Sequence, residues 1–166
     1  MAEDIQGDET RATFSRLLEV LVKEERYLVR LIELARDERE ALLQSNYEAI
    51  DEVANQMISV AAELDSFEGE RALLLQELDA PAGATLKDLE PLAVSAGADG
   101  LAEARERMVA RADELQATQE QNARLILAAT QLRERWFNLL MGMNPATYSD
   151  KGREERPGQR FVSRSA

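Results

Sequence analysis

The chain has 166 residues, with 32 acidic against 20 basic side chains, no histidine and no cysteine, giving a net charge of -12. Without imidazole or thiol groups it offers no disulfide, no thiolate nucleophile, no imidazole base and no ordinary zinc site, and its acidity opposes a nucleic-acid backbone, which needs a basic face. Hydrophobic residues make up 45% but aromatics only 5%, and the 8 glycines and 4 prolines are too few for a turn-rich sandwich or barrel, so an almost entirely helical protein is expected.

Residues 1 to 9 are polar and acidic and read as a disordered N-terminus. A first helix starts near Thr10 or Thr13, either able to cap it, and runs to about Gln44. It carries Phe14, Leu17, Leu18, Leu21, Leu28, Leu31, Ile32, Ala35 and Leu42 at helical spacing. Ser45-Asn46-Tyr47-Glu48 has the form of a capping box and marks the start of a second helix. Neither glycine nor proline sits there, so one helix continuous through residue 45 is the alternative.

From Ile50 to Leu78 apolar residues alternate at steps of three and four over nine positions with one exception, Arg71: Ile50, Val53, Met57, Val60, Leu64, Phe67, then Arg71, Leu74 and Leu78. So long and narrow a seam must lie against partner helices, within the chain or from another protein. The helix should stop near Asp79, ahead of Ala80-Pro81-Ala82-Gly83. Residues 80 to 99 read as a loop with one short helix opened by Thr85 and limited by Pro91 to a turn or two.

A last helix spans about Leu101 to Met141, with Leu101, Ala104, Met108, Leu115, Leu125, Ala129, Leu132, Trp136 and Leu139 in register and Arg111, Thr118 and Asn122 interrupting. Gly142 and Asn144-Pro145 end it. Residues 144–166 carry a balance of +2, which leaves -14 on residues 1–143. Lacking periodicity, they read as a flexible basic tail. The acidic N-terminus is no secretory signal and no window is apolar enough to span a bilayer, so a soluble protein that stays in the cytoplasm is expected, with no nucleic-acid partner and no membrane insertion.

No constellation for catalysis emerges: there is no glycine-rich phosphate loop, no nucleophile elbow and no glutamate with a histidine three residues on. Glu24, Glu25, Glu38, Glu40, Glu63, Glu103, Glu106 and Glu114 read as solvated helix faces with ion pairs one turn apart. No cofactor, metal or catalytic residue is assigned. Arg71 has two readings, a stem lying along the groove with its head in solvent, or an ion pair that fixes register. Asn122 either specifies alignment at its seam position or lies exposed at an edge. Leu132, Trp136, Phe137, Leu139, Leu140, Met141 and Met143 form the most apolar stretch, either core at a bundle end or a ridge for a partner helix.

Several of these segments, taken in order, resemble the FlgN family of flagellar type III export chaperones. They are the leucine-rich first helix with Glu38-Arg39-Glu40-Ala41-Leu42, Arg71-Ala72-Leu73-Leu74, Gln121-Asn122-Ala123-Arg124-Leu125-Ile126, and Pro145-Ala146-Thr147-Tyr148-Ser149-Asp150-Lys151-Gly152. The resemblance covers roughly residues 14 to 152. It implies an all-α fold, an elongated antiparallel helical bundle or hairpin of three long helices plus one short helix with coiled-coil-like packing, in a chaperone domain of residues 10–143. It implies no enzymatic activity. The job it implies is binding the C-terminal amphipathic helices of hook–filament junction proteins, preventing premature assembly and delivering them to the export gate, with the export ATPase complex as a further partner. Asn122, Leu125, Ile126 and Ala129 would face the client, and Tyr148 would contact the gate. Leu132, Trp136, Leu139 and Leu140 extend the candidate client surface. The rival readings are a homodimeric structural coiled coil without an export client, and an acid/base enzyme using paired carboxylates.

Overall fold

A computed structural model describes residues 2–141. They are all-α: α1 (Ala2–Gln44), α2 (Tyr47–Glu77), α3 (Leu86–Ser95) and α4 (Leu101–Leu140), with no strand among the described residues. They divide into two compact units, one up to Ala129 and one from Thr130. The tail expected beyond residue 143 lies outside the described residues.

In the first unit α1 is the element the others share. Phe14, Leu17, Val20, Leu21, Leu28, Leu31, Ile32, Leu34, Ala35 and Ala41 are all buried along it, a spacing of three and four that puts them on one broad face. The helix begins at Ala2, ahead of the expected Thr10 and Thr13 caps. Gly7 alone is too weak a breaker to stop it. Thr13 Oγ1 donates instead to the Glu9 carbonyl within the helix (3.1 Å).

The break between α1 and α2 is real, but its chemistry is not the expected capping box. Ser45 adopts φ 55° and ends α1: its N–H donates to the Leu42 carbonyl (3.1 Å) and that of Asn46 to Ala41 (2.9 Å), a Schellman closure. The cap of α2 is therefore Asn46, whose Oδ1 accepts from the Ala49 N–H (3.2 Å). The same closure ends α2 at Asp79 (φ 50°) and α3 at Gly97 (φ 69°).

α2 runs antiparallel to α1, as the paired positions Arg16–Glu77, Glu24–Arg71 and Tyr27–Phe67 require. None of its nine seam residues is exposed. α3 is longer than Pro91 suggested. The missing proline N–H deprives the Lys87 carbonyl of a bond, but Lys87 is exposed and water can replace it. A capping box, Thr85 Oγ1 accepting from the Asp88 N–H (3.4 Å) while Asp88 Oδ2 accepts from the Thr85 N–H (2.8 Å), holds its start. Leu89 and Ala93 then pack with Phe14, Leu17, Val20, Leu21, Leu74, Leu78, Ala98, Leu101 and Ala104 in one core where all four elements meet. Each large side chain fully buried there contributes about 1.5–3 kcal/mol.

α4 starts from this core and runs parallel to α1, since Glu25 meets Arg107, Arg36 meets Glu114, and Glu38 meets Asn122.

Candidate functional site

The α1–α2 seam holds a buried carboxylate. Glu24 is 1% exposed, and its Oε2 accepts from Arg71 Nη1 at 2.8 Å. Burial raises the pKa of Glu24 above the ordinary carboxylate value, Arg71 opposes the shift by charge and hydrogen bond, and nearby Glu68 adds to it. Of the two sequence readings of Arg71, the ion pair is the one found. The reading of Glu24 as a solvated-face residue is overturned. Its signal was in the sequence: Leu17, Leu21, Glu24, Leu28 and Leu31 step by four, three, four and three, so Glu24 occupies a seam position. Glu24 is enclosed by the helices while Arg71 reaches partly to solvent, and Glu24 Oε1 is left without a hydrogen-bond partner, an arrangement suited to alignment of the two helices.

Asn122 aligns α4 in a similar way. It is 2% exposed, and its Nδ2 donates to the Ala35 carbonyl and to Glu38 Oε2, both at 2.7 Å. Its expected place on a client-facing surface is corrected by this burial: at a seam position against α1 its Nδ2 is taken up in fixing register, while its Oδ1 has no hydrogen-bond partner. Around it α1 and α4 share further polar contacts. Arg36 Nη2 meets Glu114 Oε1 at 2.6 Å, Arg107 Nε meets Glu25 Oε2 at 3.0 Å, and Arg39 donates to Gln121. Glu25 and Glu38 thus pair across helices, and Glu114 pairs both across them and along its own.

The remaining candidate residues are accessible to differing degrees. Leu125 is half-buried, while Ile126 and Ala129 are exposed. In the second unit Leu132, Trp136, Leu139 and Leu140 are between 56% and 80% exposed, and Phe137 and Met141 are exposed as well. Leu132, Trp136 and Leu139 follow one another at steps of four and three, so they form one ridge on the helix. Of the two sequence readings for this stretch, core at a bundle end fails for the described residues, because the side chains stand in solvent. Tyr148 lies outside the described residues.

A model of the FlgN protein family matches residues 13–156, which takes in the α1–α2 seam, Asn122 and the exposed ridge. The chain belongs to the FlgN family. It is therefore a member of the flagellar export chaperone family, whose proteins bind flagellar proteins. No curated protein and no solved structure matches this FlgN protein. Among its described residues no group of carboxylates converges to hold a metal ion, and no helix is long and apolar enough to cross a membrane.

Proposed function

We propose that this FlgN protein is a cytoplasmic escort that takes the C-terminal amphipathic helices of hook–filament junction proteins onto the Leu132–Trp136–Leu139–Leu140 ridge. It keeps them from assembling early and delivers them to the export gate and its ATPase complex, without enzymatic chemistry. The observation that carries this reading is that large apolar side chains at the end of α4 are 56% to 80% exposed, whereas soluble monomers rarely leave a contiguous apolar strip uncovered without a use for it. A helix laid along the ridge would bury those side chains by the helix-in-groove mode, and the gain of about 25 cal/mol per Å² would be offset by the cost of ordering the incoming segment. Leu125, Ile126 and Ala129 are assigned to the same role. Asn122 is not.

Trp136 is the single tryptophan of the chain, so its emission reports on the ridge without a label. Titrating the full chain with the C-terminal helix of a junction protein should shift that emission to shorter wavelength and give a 1:1 complex by sedimentation. An unchanged spectrum with no complex would refute the assignment, and a tight dimer indifferent to the peptide would favour a structural homodimer. Tyr148 is assigned to the gate through the family resemblance. Tyr148→Ala should leave peptide affinity intact while reducing export of the client in cells.

A further inference from the structure

The ridge is bordered by charge opposite in sign to the net charge of residues 1–143. At about 100° per residue, Arg133 projects roughly 100° to one side of Leu132 and Arg135 roughly 60° to the other, while Glu134 falls on the opposite face. Both edges of the ridge are therefore cationic on a chain whose residues 1–143 sum to -14. Seven arginines of the first unit, Arg16, Arg30, Arg36, Arg71, Arg105, Arg107 and Arg111, each meet a glutamate, whereas Arg26, Arg39 and Arg124 meet no carboxylate among the described residues. Arg133 and Arg135 meet no carboxylate among the described residues.

We propose that Arg133 and Arg135 make this ridge select partner helices whose apolar stripe is bordered by aspartate or glutamate. The inference rests on the helix-docking reading above and adds the chemistry that would discriminate among helices equal in hydrophobicity. Edge charges beside an apolar seam set partner choice, because a helix bordered by like charge meets repulsion and one bordered by opposite charge gains contact and faster encounter. A second copy of this chain fits poorly. Whether two ridges pair parallel or antiparallel, arginine faces arginine along both edges. An anionic lipid surface would satisfy the arginines, but it would repel a body of charge -14.

The test uses the full chain and two synthetic helices with one leucine stripe, bordered in one by glutamate and in the other by lysine, each titrated against Trp136 emission. The glutamate-bordered helix should bind at least about tenfold tighter at about 50 mM salt, with the gap closing at about 500 mM as screening shortens. Arg133→Glu with Arg135→Glu, both on the exposed helix surface and checked for native helicity by circular dichroism, should invert the order. Equal affinity of the two peptides would overturn the selection and leave the docking reading standing. Silence of Trp136 toward both would overturn the docking reading and the selection together. A shift with anionic vesicles but with neither peptide would make the ridge a lipid face and overturn both as well.

Discussion

Replacing Arg71 with leucine would complete the apolar repeat of α2, yet it should destabilise the protein. The reason lies across the seam, where Glu24 is 1% exposed and Arg71 supplies its hydrogen bond and counter-charge. Breaking a buried pair from one side typically costs about 3–5 kcal/mol. Because the Arg71 side chain is 27% exposed, part of its attraction is already screened, and about 2–3 kcal/mol is expected at pH 7. Replacing Glu24 as well removes the stranded charge, so Arg71→Leu with Glu24→Leu should recover most of the loss or exceed wild type. The pH dependence has a definite sign. Glu24 titrates above its ordinary value when folded, so the native state holds its proton more tightly than the unfolded chain. Its contribution is full below the ordinary carboxylate range and declines as pH rises through the raised folded value. Loss of Arg71 removes the two influences that lower that value, so the penalty of Arg71→Leu should be small in acid and grow toward neutrality. Urea unfolding followed at 222 nm for wild type, both single variants and the double, at about pH 5 and pH 7, measures the cycle. An Arg71→Leu protein within about 0.5 kcal/mol of wild type at pH 7, or a double variant no more stable than Arg71→Leu, would refute the reasoning.

Asn122→Ala should cost about 1–2 kcal/mol in the same urea assay, through the lost bonds to Ala35 and Glu38, and should speed amide exchange in the α4 segment around it. Ser45→Gly should stabilise by up to about 1 kcal/mol, since Ser45 holds φ 55° and glycine pays no side-chain penalty there. Thr85→Ala should cost about 1 kcal/mol by uncapping α3. Thr85 also holds the Asp88 pKa below its ordinary value through side-chain and backbone hydrogen bonds. The stability Asp88 contributes is therefore present above the ordinary carboxylate value and lost as pH falls through the lowered one, and Thr85→Ala should flatten that acid limb of the stability profile. Trp136→Ala should leave thermal unfolding unchanged, since its side chain is exposed, and should weaken junction-helix affinity roughly tenfold or more by calorimetry.

The four helices were legible because their signals are local or periodic. Nine positions from Ile50 to Leu78 announced the α2 seam, and Thr85 with Asp88 announced the start of α3. The misplaced boundaries fall where two signals compete for the same residues. Ser45 has the side chain of a cap, but the preceding helix needed a residue in the left-handed region to close, and that demand moved the cap to Asn46. Pro91 reads as a terminator, yet Leu89 and Ala93 bury on either side of it, and their packing outweighs one missing bond. The role of Glu24 was legible in principle from its seam position, whereas the bonds of Asn122 to Ala35 and Glu38 depend on how two helices distant in sequence are aligned, which no local pattern carries. The ridge was readable only as an apolar stretch, because periodicity marks a face and leaves open what covers it.

The two seams of α1 hold their partners by different physics, and this bears on which helix can respond to a ligand. α2 is pressed on α1 by apolar residues at eight of nine seam positions, the ninth, Arg71, forming the buried pair that sets register. Among its described residues α4 has no fully buried apolar side chain beyond Ala104 and meets α1 there through Arg36–Glu114, Arg107–Glu25, Arg39–Gln121 and the amide of Asn122, with Leu115 and Leu125 only half-buried. Ion pairs as exposed as these contribute about 0–1 kcal/mol each, against about 1.5–3 kcal/mol for a buried leucine. The register of α4 is thus specified by Asn122 more than its attachment is secured. The helix that bears the exposed ridge is, within the first unit, the one held by contacts that water and salt can most easily replace, so rearrangement on docking a client is cheaper there than anywhere along α1–α2.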